Sequence, residues 1–518
     1  MFECGQGEAS TWKHPRTARN SISLKVLVDK EKERVVFAES DSDFVEILFS
    51  FLTMPIGTII RLTRSQPFMA EIGCMNNIYE SVDKLDVQHL WTAACKTMLL
   101  CPQNSAETHC KNLKVNINDT EPIRYYTCSS GKETVSYYTS LSMTPRHCLI
   151  STYENMRCHC GQLMSRIVQL QQPNAMKVAD EDCGRVFLND PEWFMISDDL
   201  HVTPMSTMTS LSLLRKLGIK DWSASEERTV NVELLYLLMS LFSKTPLTDA
   251  IFLKQVTVDQ TGVNLRIKNQ LDDETDADSN VKMFKVKLMV SKSSNMVLYA
   301  EAGVDFVDLL LSFLTFPLGS IVELFGGNSP MQSLNTLYKS VEELSVDNYI
   351  KSDKCKNMLL HPKLPSYFSC ENQLLPIEEV NLYYSTFDCS LCYPTMKIST
   401  SENDAPRQCQ HHNYTNRLTL KVANPKLLTG NSELGGGFLR RPKIFMVTDD
   451  LVVTPFSPIS AISLLDSLNV PISDVEERLV TVSKKEALTL LKVSLASKSA
   501  LTNTFIFNFK LKEPKQEK

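Results

Sequence analysis

The sequence predicts an α+β fold made of two tandem copies of a β-β-α-β-plus-helices module, each with a cysteine-bearing, ribbon-like insertion. Three observations support this prediction. Two long segments recur in the same order, each copy opens with alternating apolar residues, and a helical apolar stripe follows in both. The chain has 518 residues, of which 43% are hydrophobic, so each copy has enough apolar material to build a core.

The duplication rests on two pairs of matching segments. Residues 44–62 and 306–324 are identical at eleven of nineteen positions, and residues 194–204 and 445–455 at eight of eleven. The period is far longer than that of a solenoid repeat. We therefore expect two domains joined by a tether, each with its own core.

The domain boundaries follow from the repeat and from charge. Residues 271–280 contain five acidic residues and no basic one, which is typical of a solvated linker. The predicted order is a disordered N-terminus over residues 1–20, a first module over 21–255, a linker over 256–282, a second module over 283–509 and a charged tail over 510–518.

Each copy is predicted to begin with a β-hairpin followed by a helix. Apolar residues alternate in the hairpins, and those in residues 44–52 and 306–314 recur at i, i+3, i+4, i+7 and i+8. Asp43 and Asp305 are the predicted helix N-caps, with Glu46 and Asp308 three residues later.

Proline and glycine are expected to end these two helices and to start short strands over residues 58–62 and 320–324. Later helices are expected near residues 211–217, 462–468, 232–242 and 484–497, with their leucine-rich stripes in the core. The acidic pairs Asp198–Asp199 and Asp449–Asp450 could suggest an acid/base or metal site, but adjacent strand residues point to opposite faces, so the two carboxylates would not converge unless the backbone turns there. We favour a role in turns.

Charge and hydropathy limit the partners and the compartment. The net charge is −6, so nucleic acid and anionic membranes are not expected to bind non-specifically. No apolar stretch reaches the roughly 18–20 residues of a membrane span, and the first residues lack the apolar region of a secretory signal. We expect an intracellular protein, cytoplasmic or nuclear, that is neither secreted nor bound to membranes.

The second copy contains a candidate structural zinc site. Cys389, Cys392, Cys409 and His412 form a C-x2-C-x16-C-x2-H pattern, with His411 as a competing nitrogen donor. Two close pairs across a loop can meet at one tetrahedral zinc ion. Four protein ligands leave no open position for water, so such a zinc ion would be structural rather than catalytic. The alternative is a loop with scattered thiols and imidazoles.

The repeated motifs resemble the plant family called domain of unknown function 674. The resemblance rests on DFVxxLxSFLTxPxGxI, a tyrosine pair, a cysteine-bearing middle and FMVTDDLxVTP, and it covers nearly the whole chain. It implies an α+β repeat unit with a CxxC-type cysteine cluster after the tyrosine pair, and it brings no assigned activity.

The first copy departs from that family pattern. It keeps Cys128, Cys158 and Cys160, but Gly131 stands where a CxxC partner of Cys128 would fall. These three cysteines are therefore a weaker candidate zinc set, to which a fourth ligand would come from Cys148, His147 or His159. The alternative is a decayed loop without metal.

These observations predict an uncharacterised, non-enzymatic protein that serves as a protein–protein interaction module for an unknown partner. No catalytic residues are assigned, and structural zinc is the one cofactor considered. The first alternative is a nucleic-acid-binding protein that uses zinc-ribbon-like knuckles. The second alternative is an enzyme with a site between the two copies.

Overall fold

The computed structural model describes residues 21–64, 72–113, 123–128, 149–158, 161–170, 185–189, 192–219, 221–252, 282–380, 384–388, 397–399, 416–427, 436–441 and 443–507. Residues 21–252 are called the first half below, and residues 282–507 the second half. The described residues form a mixed α+β structure with several sheets.

The helices are α1 (Ser42–Ser50), α2 (Ile56–Thr63), α3 (Met75–Lys84), α4 (Ala93–Leu100), α5 (Glu107–Cys110), α6 (Thr207–Lys216), α7 (Leu234–Ser240), α8 (Pro246–Phe252), α9 (Val304–Ser312), α10 (Leu318–Leu324), α11 (Gln332–Glu343), α12 (Asp353–Leu360), α13 (Pro458–Ser467), α14 (Lys484–Ala496) and α15 (Ala500–Thr502). Short 3-10 turns include Phe51–Thr53, Phe313–Thr315 and Ile472–Asp474.

The strands are β1 (Ser21–Asp29), β2 (Arg34–Asp41), β3 (Tyr125–Cys128), β4 (Leu149–Ile150), β5 (Met156–Arg157), β6 (Leu163–Leu170), β7 (Trp193–Ser197), β8 (Val202–Pro204), β9 (Ser225–Glu233), β10 (Phe284–Ser291), β11 (Val297–Gly303), β12 (Tyr384–Asp388), β13 (Lys397–Ser399), β14 (Asn416–Val422), β15 (Ile444–Thr448), β16 (Val453–Pro455) and β17 (Val475–Val482).

Two five-stranded sheets have the same strand order. The first sheet runs β8-β7-β2-β1-β9 and the second runs β16-β15-β11-β10-β17. Each contains one of the two predicted hairpins, and every pair in both sheets is antiparallel. Both hairpins also carry an irregularity in register at the same place, between Leu27 and Val28 and between Met289 and Val290.

The strands predicted after the first helix of each copy are wrong, since both segments are helices. Pro55 and Pro317 occupy the N-cap positions of α2 and α10, so proline begins a second helix instead of leading into a strand. The β-branched residues favour a strand by propensity, but Ile56, Ile59 and Ile60 bury one face of a helix. Tertiary burial therefore overrides local preference here.

The predicted N-caps are also displaced. Asp41 caps α1 by accepting from Asp43 N, and Gly303 precedes α9, so Asp43 and Asp305 lie inside the first helical turns. Glu46 and Asp308, expected in capping boxes, instead bind backbone N–H groups from distant loops.

A third sheet combines strands of both halves in the order β3-β6-β13-β12-β14-β4, with β5 paired to β6. Two of its pairings are parallel and join the halves, β13 with β6 and β4 with β14. Tyr126 and Ser151 exchange two hydrogen bonds of 2.8 and 2.9 Å, which connects the two ends of this order. The cysteine-bearing insertions predicted for each copy fall largely in residues 129–148 and 389–415, most of which lie outside the described residues.

The halves meet through equivalent residues. Ile56 N donates to Phe316 O at 3.2 Å, and Leu318 N donates to Met54 O at 3.0 Å. This exchange places Pro55 opposite Pro317, as in the self-complementary interface of a two-fold dimer. A Cβ atom at Gly57 would lie 2.9 Å from Leu314 O, so only glycine permits this approach.

Helices also pack across this junction in a reciprocal way. Ser81 Oγ of α3 accepts from Val453 N of β16, and Ser340 Oγ of α11 accepts from Val202 N of β8, both at 2.9 Å. Buried apolar residues of the two halves form one continuous cluster. The described residues therefore share a core, where we expected one core for each copy.

Candidate functional site

The second-copy zinc candidates lie outside the described residues. These are Cys389, Cys392, Cys409 and His412, together with His411. The structure describes the strands on either side of this segment. Asp388 of β12 pairs with Asn416 of β14, so the segment that carries all four residues starts and ends at neighbouring positions.

Two of the three first-copy candidates are described. Cys128 and Cys158 are buried in one small cluster with Tyr126, Met156 and Met164, whereas Cys160 lies outside the described residues. Among the residues that the structure describes, no group of three or more His, Cys, Asp and Glu side chains is placed to hold a metal ion. A zinc ion at Cys128 and Cys158 would need further ligands from the segments that are not described.

A buried carboxylate of each half fixes a loop next to the junction. Glu46 is 2% exposed and accepts hydrogen bonds from Val186, Phe187 and Leu188 N at 2.9, 2.8 and 2.6 Å. Burial raises the pKa of Glu46, and the three backbone N–H groups act in the opposite direction. Leu188 in turn bridges to Ile350 of the second half, so this carboxylate supports the contact between halves.

Asp308 is the equivalent carboxylate in the second half, and it is less well satisfied. Its Oδ1 accepts from Phe438 N at 2.9 Å and Leu439 N at 3.1 Å, while Oδ2 has no hydrogen-bond partner in the described part of the chain. Burial raises the pKa of Asp308 to about 7, with Lys426 opposing that rise. A side chain at Gly437 would collide with Oδ2. A residue without a side chain is therefore needed at position 437 for the close approach to this carboxylate.

A buried lysine lies near Asp308. Lys426 Nζ donates to Ser369 O at 2.7 Å, lies 4.0 Å from Cys370 Sγ, and stands 4.1 Å from the ring centre of Phe438. Burial raises the pKa of Cys370 to about 12, so this thiol stays protonated. The cavity between Asp308 and Cys370 measures about 10 Å³, which is room for one water molecule and not for an organic substrate. We interpret this cluster of Asp308, Cys370, Lys426 and Phe438 as a structural one that stabilises the packing of these segments.

The paired acids occupy turns, as predicted. In each pair the first carboxylate holds the chain near the end of its half. Asp198 is buried and accepts from Thr248 N and Oγ1 at 2.9 Å, and Asp449 is partly buried and accepts from Thr502 N at 2.7 Å. The following residues, Leu200 and Leu451, have φ values of 63° and 64°. The backbone thus turns at both acidic pairs.

The largest departure from the sequence prediction is an exposed apolar face on the second half. We call Ile459, Ile462, Leu468, Ile472 and Leu479 the outer apolar surface; they are 77%, 64%, 48%, 85% and 62% exposed. Helix α13 covers the second sheet with its other side, through Ala461 and Leu464. The helical stripe was expected in the core, but the helix is apolar on both faces, and periodicity alone does not indicate which face lies inward.

None of the helices in the described part of the chain combines the length and apolar character needed to cross a lipid bilayer. The fold and the exposed face define a class of α+β protein with two equivalent antiparallel sheets around a shared core. The chain matches the family model "Protein of unknown function (DUF674)" over residues 18–485 and belongs to that family. No curated protein and no solved structure matches the chain.

Proposed function

We propose that this protein is a non-enzymatic protein–protein interaction module built from a duplicated domain, with residues 21–255 and 283–509 as the two copies. The shared strand order, the matching hairpin irregularities and the reciprocal contacts at Pro55 and Pro317 support the duplication. The partner is a protein that covers the outer apolar surface.

The observation that carries this proposal is the exposure of large aliphatic side chains on ordered structure. Ile459 and Ile462 are one helical turn apart on α13, and Ile472 follows in the next 3-10 turn. Leu479 lies on the same face of β17 as Val475 and Glu477, because alternate strand residues share a face. This is the face that α13 covers, where Val475 packs. Single exposed apolar residues are common, but a group of them on one side of a sheet marks a contact surface.

The test compares wild-type protein with the double variant Ile459→Ser/Ile462→Ser. Tagged proteins are expressed in the source cells, and co-purifying proteins are quantified by mass spectrometry. We expect a stoichiometric partner with the wild-type chain and at least a tenfold loss with the double variant. The matched control is Met283→Ser, an exposed apolar residue that does not lie on α13.

The partner so found is then purified and titrated against each variant by calorimetry. The double variant and the control variant replace only exposed side chains, so each substitution should change the free energy of unfolding by less than about 0.5 kcal/mol. Equal affinity of the wild-type protein and the double variant for the purified partner would contradict the proposal, as would equal loss with Met283→Ser.

We also propose a structural zinc ion at Cys389, Cys392, Cys409 and His412. This proposal is supported by the pairing of Asp388 with Asn416, which brings together the two ends of the segment that carries the candidate ligands. A polar loop of this kind has little apolar material of its own and gains stability from a metal ion. The weaker set at Cys128, Cys158 and Cys160 is proposed only as a second site.

Elemental analysis of the purified protein tests the zinc proposal. We expect about one zinc ion per chain, lost on Cys389→Ser together with a lower melting temperature. Cys95→Ser is the matched control, because Cys95 is buried on α4 and has no role in the proposed site. Protein without zinc, or with zinc that Cys389→Ser leaves in place, would refute the proposal.

A further inference from the structure

An open groove of about 800 Å³ lies on the outer face of the first sheet. Its lining includes Lys25, Glu39, Asp41, Trp193 and Met205. Lys25 is opposite Glu39 and Asp41 is opposite Trp193 in the pairing of β1, β2 and β7, so these side chains form adjacent rows across the strands. A volume of this size is within the range of ligand sites in proteins.

The groove has the composition of a site for cations. Asp41 and Asp43 line it together with Glu39, and among the described lining residues Lys25 is the sole base. Lys25 is already shared between Glu227 at 3.0 Å and Glu39 at 3.7 Å, so negative charge is in excess. Trp193 is 57% exposed beside these carboxylates. An exposed indole face next to carboxylates favours ammonium and guanidinium groups.

The equivalent face of the second half keeps the lysine shared by two glutamates, as Lys287 with Glu301 and Glu477, but it differs at two other positions. Gly303 occupies the position equivalent to Asp41, and Ile444 occupies the position equivalent to Trp193. The first face therefore has one carboxylate and one indole that its counterpart lacks, which indicates that the first face has a separate binding role.

We propose that this groove binds a lysine- or arginine-bearing segment of a partner protein. The occupant follows from charge complementarity: the excess carboxylates pair with the basic groups, and Trp193 stacks on one of them. An open groove across several strands accommodates an extended segment better than a compact ligand. The site is distinct from the outer apolar surface, so either can fail without the other.

The test measures fluorescence anisotropy of the full chain with two labelled peptides, one of alternating arginine and serine and one of alternating glutamate and serine. We expect the basic peptide to bind and the acidic one to show no binding. Asp41→Asn should weaken binding about threefold, since asparagine keeps the helix cap but removes the charge. Trp193→Ile, which installs the residue found at position 444, should weaken it about three- to fivefold. Asp466→Asn, an exposed acid on α13, is the matched control and should have no effect.

Several results would overturn the proposal. These are equal binding of both peptides, no binding of the basic one at millimolar concentration, or unchanged affinity in both groove variants. Displacement of the peptide by spermine at equal charge would show a site for small polyamines instead. Much tighter peptide binding after neutralising Lys13, Arg16 and Arg19 would show that the chain's own first residues, which lie outside the described part, occupy the groove.

Discussion

Cutting the connection between the halves gives the sharpest test of how this fold is held together. A specific protease site placed within residues 271–280 would break the chain without touching any described residue. Because the halves exchange contacts at Pro55 and Pro317 and share one core, we expect the two fragments to stay associated.

The strength of that association can be worked from the structure. Eight backbone hydrogen bonds outside the regular sheets cross between the halves: Ile56–Phe316, Leu318–Met54, Cys74–Ser494, Trp91–Phe438, Arg440–His89, Asn189–Tyr349, Lys351–Phe187 and Ala423–Ile150. At about 1 kcal/mol each they contribute roughly 8 kcal/mol. The 3-10 turns Phe51–Thr53 and Phe313–Thr315 pack against α10 and α2 of the opposite half.

Four fully buried side chains of these turns, Phe51, Leu52, Phe313 and Leu314, add roughly another 8 kcal/mol at about 2 kcal/mol each. Association entropy removes about 8 kcal/mol of the total. The remainder of about 8 kcal/mol corresponds to a dissociation constant near 1 μM or lower.

The assay is size-exclusion chromatography with light scattering at about 100 μM, roughly a hundredfold above that dissociation constant, before and after cleavage. We expect one species with the mass of the intact chain, and separation only in denaturant. Two species of half mass, each with an intact circular-dichroism spectrum, would refute the argument. That result would show that each copy folds alone, as the repeat length by itself suggested.

Three further predictions follow from buried groups. Burial raises the pKa of Asp308 to about 7, so between about pH 4 and pH 7 the folded state keeps a proton that the unfolded chain releases. The free energy of unfolding should therefore fall by up to about 4 kcal/mol as pH rises through this interval. Urea titrations of Asp308→Asn should lack this fall. Glu46→Ala should lower the free energy of unfolding by about 3 kcal/mol or more, because it leaves three buried N–H groups without an acceptor. Glu46→Gln keeps the oxygen that Phe187 and Leu188 share and should lower it less. Equal losses in urea titrations would contradict this prediction. Gly57→Ala should lower the free energy of unfolding by about 1–3 kcal/mol, since its Cβ would lie 2.9 Å from Leu314 O. Gly303→Ala, whose Cβ would have nothing within 4 Å, should change thermal stability little. Similar melting temperatures for both variants would count against the close packing.

The acidic residues show where sequence reasoning stopped. Glu46 and Asp308 have the spacing of capping-box residues, and that local pattern is all the sequence offers. Their partners lie more than a hundred residues away along the chain, on loops brought close by the fold. No local signal could have assigned them this role. By contrast, the turns at Asp198 and Asp449 depend on neighbouring residues, and those were predicted correctly.

The sequence by itself determined the family, the mixed α+β class and both opening hairpins, because these depend on matching motifs and on period-two and helical apolar patterns. Only the tertiary structure decided that Ile56–Thr63 is a helix, that the halves share a core, and that Ile459 and Ile462 face outward. The physical reason is that burial is a property of contacts between distant segments. A pattern of apolar residues shows that a face can be buried, and the partner that buries it is fixed only when the chain folds.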